Sequence, residues 1–266
     1  MLFRSIGECE YQFHGANRLG ANSLVACIFS GLTVAPAVAN ALSALPGGPA
    51  EQQPAALFES ATQEHQARYK QLLARGSDGP NPYALHLELG RTMTEAATVV
   101  RRNDQLRSAY ARVNELAEQT RRCGAADGGA WLNQNVVFVR TLEDMFPLAR
   151  AILAGALARD ECRGAHFKPQ FAMPDIQATD PVQRRREAEA WCDRFEENNR
   201  RWLKSTIATC TADGEPKLTY ADVNTSVIPP RPRLYGVVGG DVIEEVWSQR
   251  QRRREASPNP EPLTAP

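Results

Sequence analysis

The residues most able to do chemistry are concentrated in one short run, 14–24, whose sequence is His-Gly-Ala-Asn-Arg-Leu-Gly-Ala-Asn-Ser-Leu. Gly15 and Gly20 permit a positive φ angle or a close approach of a ligand to the backbone. Arg18 lies between them, and its planar guanidinium matches a carboxylate. The run therefore predicts a site for a small anionic molecule, although a capped loop with a surface arginine would contain the same residues.

A helix is expected to follow this run and to position it. Asn22 or Ser23 can cap a helix that begins near Leu24, and a helix N-terminus behind a glycine-rich loop favours a bound anion. The window 24–45 is the most apolar of the chain, but it is rich in alanine, glycine and serine and contains Pro36. Because a membrane-spanning helix needs about 20 strongly apolar residues, we expect a buried helix of small residues and no transmembrane segment.

A second polar group, 158–167, follows a long helical pattern and has the sequence Ala-Arg-Asp-Glu-Cys-Arg-Gly-Ala-His-Phe. An arginine and a histidine at the end of a helix commonly satisfy its last carbonyl oxygens. A single histidine is also weak support for a ligand site. We therefore interpret Arg163 and His166 as structural residues.

The composition excludes several classes of function. The 266 residues are 42% hydrophobic and 23% charged, which is typical of a globular protein with a substantial core. The formal net charge is +0, whereas a nucleic-acid-binding protein commonly has a basic excess, so no nucleic-acid partner is expected. The six cysteines form no C-x-x-C pair, so we expect reduced thiols and no metal site.

Apolar residues at helical spacing predict a helical bundle over 47–178. A linker rich in proline and glycine opens it at 47–53. The helices are expected over about 57–75, from Pro82 with Asn81 as N-cap, over about 104–122, and from about 133 through a kink at Pro147.

The C-terminal region, 179–247, combines a charged helix with a β-hairpin. Asp180-Pro181 is expected to open the helix, and β-like segments flank Asp213-Gly214, a strong turn signal. From Ser248 the chain is basic and then rich in proline, which predicts a disordered tail over 248–266.

The run 14–24, together with Gly-Glu-Cys at 7–9, closely resembles the flavoprotein subunit of succinate dehydrogenase and fumarate reductase. That superfamily also contains L-aspartate oxidase. The resemblance implies that 1–46 is the C-terminal remnant of an FAD-binding domain, that Arg18 binds a carboxylate of the dicarboxylate substrate, and that His14 lies beside that site. The residues implied to contact FAD are Glu8, Asn17, Ser23 and Leu24.

The second polar group extends the resemblance. It is similar to the family pattern Glu-Ser-Arg-Gly-Ala-His, except that Cys162 stands where serine is usual. Ala165 is more similar to succinate dehydrogenase and fumarate reductase than to aspartate oxidases, which tend to carry a bulkier residue there. The implied fold class is mainly α: the end of an FAD-binding α/β domain, a helical bundle, and a small α+β extension with a hairpin.

Other parts of that family have no counterpart in the sequence. These are the G-x-G-x-x-G turn that binds the ADP half of FAD, the flavin-linking histidine, and the capping domain with the proton-donor arginine. The chain therefore resembles the C-terminal portion of a protein more than twice as long. We expect its FAD site to be incomplete and the chain alone to be inactive.

The resemblance implies that the whole enzyme transfers a hydride between a C4 dicarboxylate and FAD. Electrons would pass to an iron–sulfur subunit and, through a membrane-anchor cytochrome b subunit, to quinone. The implied location is peripheral, at the cytoplasmic face of the inner (plasma) membrane. Two alternatives stay open: an L-aspartate oxidase-type flavoenzyme that needs no iron–sulfur partner, and a truncated, non-catalytic helical interaction module.

Overall fold

The computed structural model describes residues 14–18, 20–47, 53–129 and 131–256. The secondary-structure elements in these ranges are the helices α1 (Asn22–Ser43), α2 (Ala55–Ala74), α3 (Pro82–Ala97), α4 (Asn103–Thr120), α5 (Gln134–Ala158), α6 (Pro181–Trp202) and α7 (Gly240–Glu255), and the strands β1 (Lys204–Cys210) and β2 (Pro216–Asp222). The predicted helical bundle with a small hairpin is confirmed. The first 13 residues of the predicted remnant of an FAD-binding domain lie outside the described residues.

Side-chain caps determine where two of the helices begin. At the start of α3, Oδ1 of Asn81 accepts a hydrogen bond from the backbone N–H of Tyr83 at 2.9 Å. At the start of α6, Oδ2 of Asp180 accepts one from the N–H of Gln183 at 2.8 Å. Each cap satisfies a backbone donor that the helix cannot, a contribution of about 1 kcal/mol. Both predicted helix starts are confirmed.

The chain forms two compact units. Within the described residues, the first draws on Met1–Arg91, Asn114–Met145 and Arg163–Ala165. The second draws on Thr92–Val113, Phe146–Cys162 and His166–Pro266. The buried side chains of the first unit include Leu72, Leu85, Leu89, Leu116, Val136, Val139 and Leu142. The domain limits drawn from the sequence over 1–46, 47–178 and 179–247 stay a prediction.

Helices α6 and α7 pack against each other in the second unit through an aromatic core. The ring of Phe195 stacks on Trp191 at 5.8 Å between centroids and meets Trp247 edge-on at 5.3 Å. Trp191 and Trp247 are buried, so the pair excludes water from this face of both helices. Helix α7 continues beyond this core to Glu255, and Arg254 forms an ion pair with Glu196 of α6 at 2.9 Å. The prediction of a disordered tail from Ser248 is therefore wrong for the residues up to Glu255.

The β-hairpin turns at Gly214, whose φ of +75° favours glycine. Strands β1 and β2 pair in the antiparallel sense, with Ile207 opposite Thr219. Next to the turn, Oη of Tyr110 donates a hydrogen bond to Oε2 of Glu215 at 2.6 Å. Burial and this bond to a carboxylate raise the pKa of Tyr110 to about 12. The phenol is therefore neutral and ties the hairpin to α4.

Helix α1 has one buried face and one exposed face. The small or short side chains of Ala26, Ser30 and Val34 are buried. The large apolar side chains of the opposite side are exposed, with Leu24 at 74% and Leu32 at 72%. We call this surface the exposed helix face; its residues are Leu24, Val25, Ile28, Phe29 and Leu32.

The exposed helix face corrects one expectation. The prediction of a buried helix is wrong for α1, because no segment that the structure describes covers these side chains and only 11% of its most apolar window is buried. Of the described residues, α1 alone is long and apolar enough to cross a membrane by length and composition. A helix buried by further protein has the same length and composition.

Candidate functional site

The candidate site starts with the loop 14–18 and the first turn of α1. Nη1 of Arg18 donates a hydrogen bond to Oγ of Ser23 at 2.6 Å, and the guanidinium is exposed. The planar fork of an arginine carries five N–H donors, so this bond leaves capacity for a carboxylate. The arrangement therefore presents a fixed positive charge at the N-terminal end of a helix.

The structure changes the expected capping of α1. The helix begins at Asn22, and its N-cap is Ala21, with a φ of 62° and no side-chain hydrogen bond to the first turn. The prediction that Asn22 or Ser23 caps the helix is wrong, because the helix starts before Ser23 and the serine hydroxyl accepts from Arg18 instead. A non-glycine residue in the left-handed region costs about 1–2 kcal/mol, and such strain is concentrated at functional sites.

The predicted site residues are brought together only in part. Arg18, Asn17 and Leu24 are exposed, whereas His14 and Ser23 are half-buried. All five lie in the loop or in the first turn of α1. Glu8, the remaining predicted FAD contact, lies outside the described residues.

The structure also brings the two polar runs of the sequence into contact. The backbone N–H of Ala165 donates a hydrogen bond to the carbonyl oxygen of Ala16 at 3.0 Å. Gly164 lies against the same peptide with a φ of +58°. A Cβ on Gly164 would lie 2.6 Å from the carbonyl carbon of Ala16 and 2.9 Å from Cβ of Asn17, and closer still to the carbonyl oxygen of Ala16. Only glycine fits this approach.

His166 is a structural residue in this arrangement, as predicted. Its Nε2 donates to the carbonyl oxygen of Arg159, just after α5, at 2.9 Å. Its Nδ1 accepts from Nη1 of Arg101 at 2.7 Å, which defines the neutral tautomer. Burial lowers the pKa of His166; the bond to the Arg159 carbonyl opposes this, and the positive charge of Arg101 adds to it.

The side chain of Arg159 is almost fully engaged. It forms an ion pair with Glu161, whose side chain is fully buried, and Nη1 donates to the carbonyl oxygen of Lys204 at 2.7 Å. Oε2 of Glu161 accepts from Nδ2 of Asn198 at 3.1 Å. The guanidinium carbon of Arg159 lies 5.5 Å from the ring centroid of Trp202. These contacts join the end of α5 to the end of α6.

The buried side chain of Lys168 contacts the last turn of α5. Its Nζ is fully buried and donates to the carbonyl oxygen of Leu157 at 3.2 Å and to Oδ1 of Asp160 at 3.0 Å. Burial lowers the pKa of Lys168, and the carboxylate of Asp160 opposes that effect. Burial would raise the pKa of Asp160, but hydrogen bonds from Asn103 and Lys168 outweigh it, so that pKa is lowered.

The thiol of Cys162 lies where the resemblance described above leads us to expect a serine hydroxyl. Its Sγ donates to the carbonyl oxygen of Lys168 at 3.0 Å and accepts from the N–H of Lys168 at 3.3 Å. A serine hydroxyl would donate and accept in the same way. Burial raises the pKa of Cys162, so it stays a neutral thiol.

We call the following residues the charge network: Arg101, Arg159, Asp160, Glu161, His166 and Lys168. Sequence reasoning found His166 but not its partners. The signal that was available is the density of ionisable residues immediately after a long apolar helix, which requires compensation wherever such residues are buried.

The described ranges contain free cysteines and no cluster of possible metal ligands. No group of three or more histidine, cysteine, aspartate or glutamate residues there could hold a metal ion. The described cysteines are free thiols: Cys27, Cys123, Cys162, Cys192 and Cys210. Burial raises the pKa of Cys192 to about 11, which makes it unreactive.

Similar solved structures define the class of protein. The fold matches the FrdA chain of a mutant Escherichia coli quinol fumarate reductase with a TM-score of 0.65 and 28% identity, over 87% of this chain and 35% of that one. The chain has the fold of the C-terminal portion of a flavoprotein subunit, with helices, a hairpin and an N-terminal loop that carries an arginine.

The sequence comparisons agree on the family. The family described as fumarate reductase flavoprotein C-term matches residues 86–235, more than half of the chain, so the chain belongs to that family. The chain is 36% identical to the succinate dehydrogenase flavoprotein subunit of Bacillus subtilis over 86% of its own length. It is 29% identical to the fumarate reductase flavoprotein subunit of Escherichia coli over 87%. It spans about a third of the length of these relatives, 35% and 34%.

Proposed function

We propose that the chain is the C-terminal part of a succinate dehydrogenase or fumarate reductase flavoprotein. Its loop 14–18 and the start of α1 would form one side of the site where a C4 dicarboxylate exchanges a hydride with FAD. The observation that carries this proposal is the exposed guanidinium of Arg18, set by Ser23 at the N-terminal end of α1, in a chain of this family.

Arg18 is proposed to bind one carboxylate of the substrate. A guanidinium holds a carboxylate through two parallel hydrogen bonds, which fixes both the position and the orientation of the substrate. The bond to Ser23 restricts the rotation of the arginine before the substrate arrives. His14 would lie beside this site.

The start of α1 is suited to hold one end of FAD. No side chain caps its first turn, so backbone N–H groups there can donate to an electron-rich ring edge. Leu24 is 74% exposed and offers an apolar contact for a flat ring. Asn17 and Ser23 would add polar contacts, and Glu8 would contribute from outside the described residues. FAD, when bound, supplies the hydride chemistry, which no side chain can perform.

The remaining length of the flavoprotein is proposed to complete the site and to cover the exposed helix face. The chain spans about a third of its relatives, and α1 presents five large apolar side chains. Covering them with protein removes their cost in water. In the assembled enzyme the flavoprotein would pass electrons to an iron–sulfur subunit and then, through a cytochrome b anchor, to quinone. It would lie as a peripheral protein at the cytoplasmic face of the inner membrane.

The test uses the chain together with the remaining length of the flavoprotein, which we call the complementing polypeptide. Succinate-dependent reduction of a dye is measured for the wild type and for Arg18→Gln. Losing a charge-assisted clamp should lower kcat/KM by about 100-fold. Arg121→Gln is the matched control, because Arg121 forms only an exposed ion pair with Glu118 and should leave the rate unchanged.

The outcomes separate the alternatives. Activity with succinate that disappears in Arg18→Gln supports the dicarboxylate enzyme. Activity with L-aspartate and oxygen, but not with succinate, would instead indicate an aspartate oxidase. A soluble mixture with neither flavin nor activity would leave a non-catalytic interaction module and would overturn the assignment of Arg18.

A further inference from the structure

We propose that the turn 163–165 is a positioning segment for the substrate-binding arginine. Gly164 and Ala165 hold the peptide of Ala16 and Asn17, and this contact sets the direction in which Arg18 presents its guanidinium. The inference rests on the proposed function, and it assigns to a segment about 150 residues further along the chain a role in that same site.

The first support is a backbone hydrogen bond. The N–H of Ala165 donates to the carbonyl oxygen of Ala16 at 3.0 Å. Both partners are backbone groups, so the bond depends on the conformation of the two segments and not on the type of either side chain. Arg18 follows Ala16 by two residues, so a shift of this carbonyl moves the arginine directly.

The second support is the close approach of Gly164. A Cβ there would overlap the carbonyl group of Ala16 and would lie 2.9 Å from Cβ of Asn17. The atoms in the way belong mostly to the backbone, which cannot rotate aside as a flexible side chain can. Any residue larger than glycine must therefore displace the loop.

The third support is the freedom that the loop would otherwise have. Gly15 has a φ of +65°, and nothing lies within 4 Å of a Cβ built on it. Ala21, on the other side of Arg18, is also in the left-handed region. A loop with an open glycine needs an external contact to hold one conformation, and the turn 163–165 provides it.

The test compares Gly164→Ala with a matched control. Gly236 has a similar positive φ of +78°, but nothing lies within 4 Å of a Cβ built on it. Gly236→Ala therefore introduces the same kind of backbone strain without displacing a neighbour. Gly164→Asn is a second test variant, because asparagine tolerates the left-handed region while it still carries a Cβ.

The first measurement uses the 266-residue chain alone and does not depend on catalysis. Trypsin cleaves after Arg18, and the rate of that cleavage reports how firmly the loop is held. Gly164→Ala and Gly164→Asn should increase the rate several-fold, with Gly236→Ala equal to wild type. Equal rates in all variants would overturn the contact as an anchor of the loop.

The second measurement uses the chain with the complementing polypeptide and separates KM from kcat. A displaced Arg18 should raise the KM for succinate by about 10- to 100-fold, since errors of about 1 Å carry penalties of that size. A variant that merely folds less well would lower kcat and leave KM unchanged. Faster cleavage with an unchanged KM would overturn the positioning role.

The two measurements distinguish a failure of the proposed function from a failure of this inference. If wild type shows no succinate activity while the loop loosens in both Gly164 variants, the proposed function fails and the anchoring contact stands without a catalytic purpose. If wild type is active and both Gly164 variants keep the wild-type KM, the proposed function stands and this inference fails.

Discussion

The charge network and the exposed helix face differ in burial: the first contains buried charged side chains, and the second contains exposed apolar side chains. In the charge network, Glu161 and Lys168 are fully buried, and each ionised group meets an opposite charge or a carbonyl oxygen. On the exposed helix face, Leu24, Phe29 and Leu32 lie mostly in water. The first region finds its partners within the chain, whereas the second finds none among the described residues.

This difference separates residues whose partners lie within the chain from residues that the described part of the chain leaves uncovered. Burying a charge is costly unless it is paired, and Glu161 and Lys168 each have a counter-charge within the chain. Large apolar patches on a protein surface mark an interface. The buried charges of the second unit therefore have their partners within the chain. By contrast, α1 with its loop is the surface to which the rest of the flavoprotein is proposed to bind.

The largest expected effect comes from breaking the charge network. Glu161→Gln removes the carboxylate that pairs with Arg159 and leaves a nearly buried guanidinium without its counter-charge. Losing one partner of a buried ion pair costs about 3–5 kcal/mol. Chemical denaturation should show this loss in the free energy of unfolding.

Glu118→Gln is the matched control for that prediction. The pair between Glu118 and Arg121 is exposed, at 61% and 65% of the two side chains, and its loss should cost less than about 1 kcal/mol. Equal effects of the two substitutions would contradict the burial of the ion pair between Glu161 and Arg159.

A matched pair of leucine substitutions compares a buried apolar side chain with one on the exposed helix face. Leu72→Ala empties a site with no exposure and should cost about 2–5 kcal/mol. Leu32→Ala changes a side chain that is 72% exposed and should cost less than about 0.5 kcal/mol in the chain alone. Thermal unfolding measures both.

The same leucine pair has a second readout. Once the complementing polypeptide is added, Leu32→Ala should weaken its binding, because the leucine then becomes buried. A large loss of stability from Leu32→Ala in the isolated chain would mean that α1 is already packed in solution.

A smaller effect is expected from pH. Burial lowers the pKa of His166 below its unfolded value of about 6.5. A base with a lowered pKa binds fewer protons in the folded state, so the free energy of unfolding decreases as the pH falls through about 6.5. His166→Asn should therefore flatten the pH dependence of unfolding between about pH 7 and pH 5.

The control for the pH prediction is His65→Asn. His65 is exposed and meets Arg140 at 3.0 Å on the surface of the first unit. This substitution removes an exposed histidine, so it measures the effect of the same substitution at the surface, and the larger change in slope is expected from His166→Asn. A slope that is unchanged by His166→Asn would contradict the neutral, buried state of His166.

Local signals in the sequence predicted most of the fold. Asn81-Pro82 and Asp180-Pro181 mark helix starts because a capping side chain and a following proline act within one turn. Asp213-Gly214 marks the hairpin for a similar local reason. Helix α7 was missed because its arginines suggested a tail, although Ile243, Val246 and Trp247 have helical spacing on one face.

The site was predicted less completely, because its contacts join distant parts of the chain. The two motifs could be found separately, but spacing along the sequence does not indicate that Ala165 meets Ala16. The same holds for Arg101 and His166, which lie on different segments and bond at 2.7 Å. The exposure of α1 was mistaken for burial because a composition that suits a core does not specify which protein segment covers it.

The central claim, that the start of α1 is one side of a flavin site that the rest of the flavoprotein completes, is tested most directly by flavin retention. The purified chain and its mixture with the complementing polypeptide are each desalted after incubation with FAD, and bound flavin is measured by absorbance. We expect no flavin on the chain alone and one flavin per complex in the mixture. Stoichiometric FAD on the chain alone, or none in a stable complex, would contradict the account.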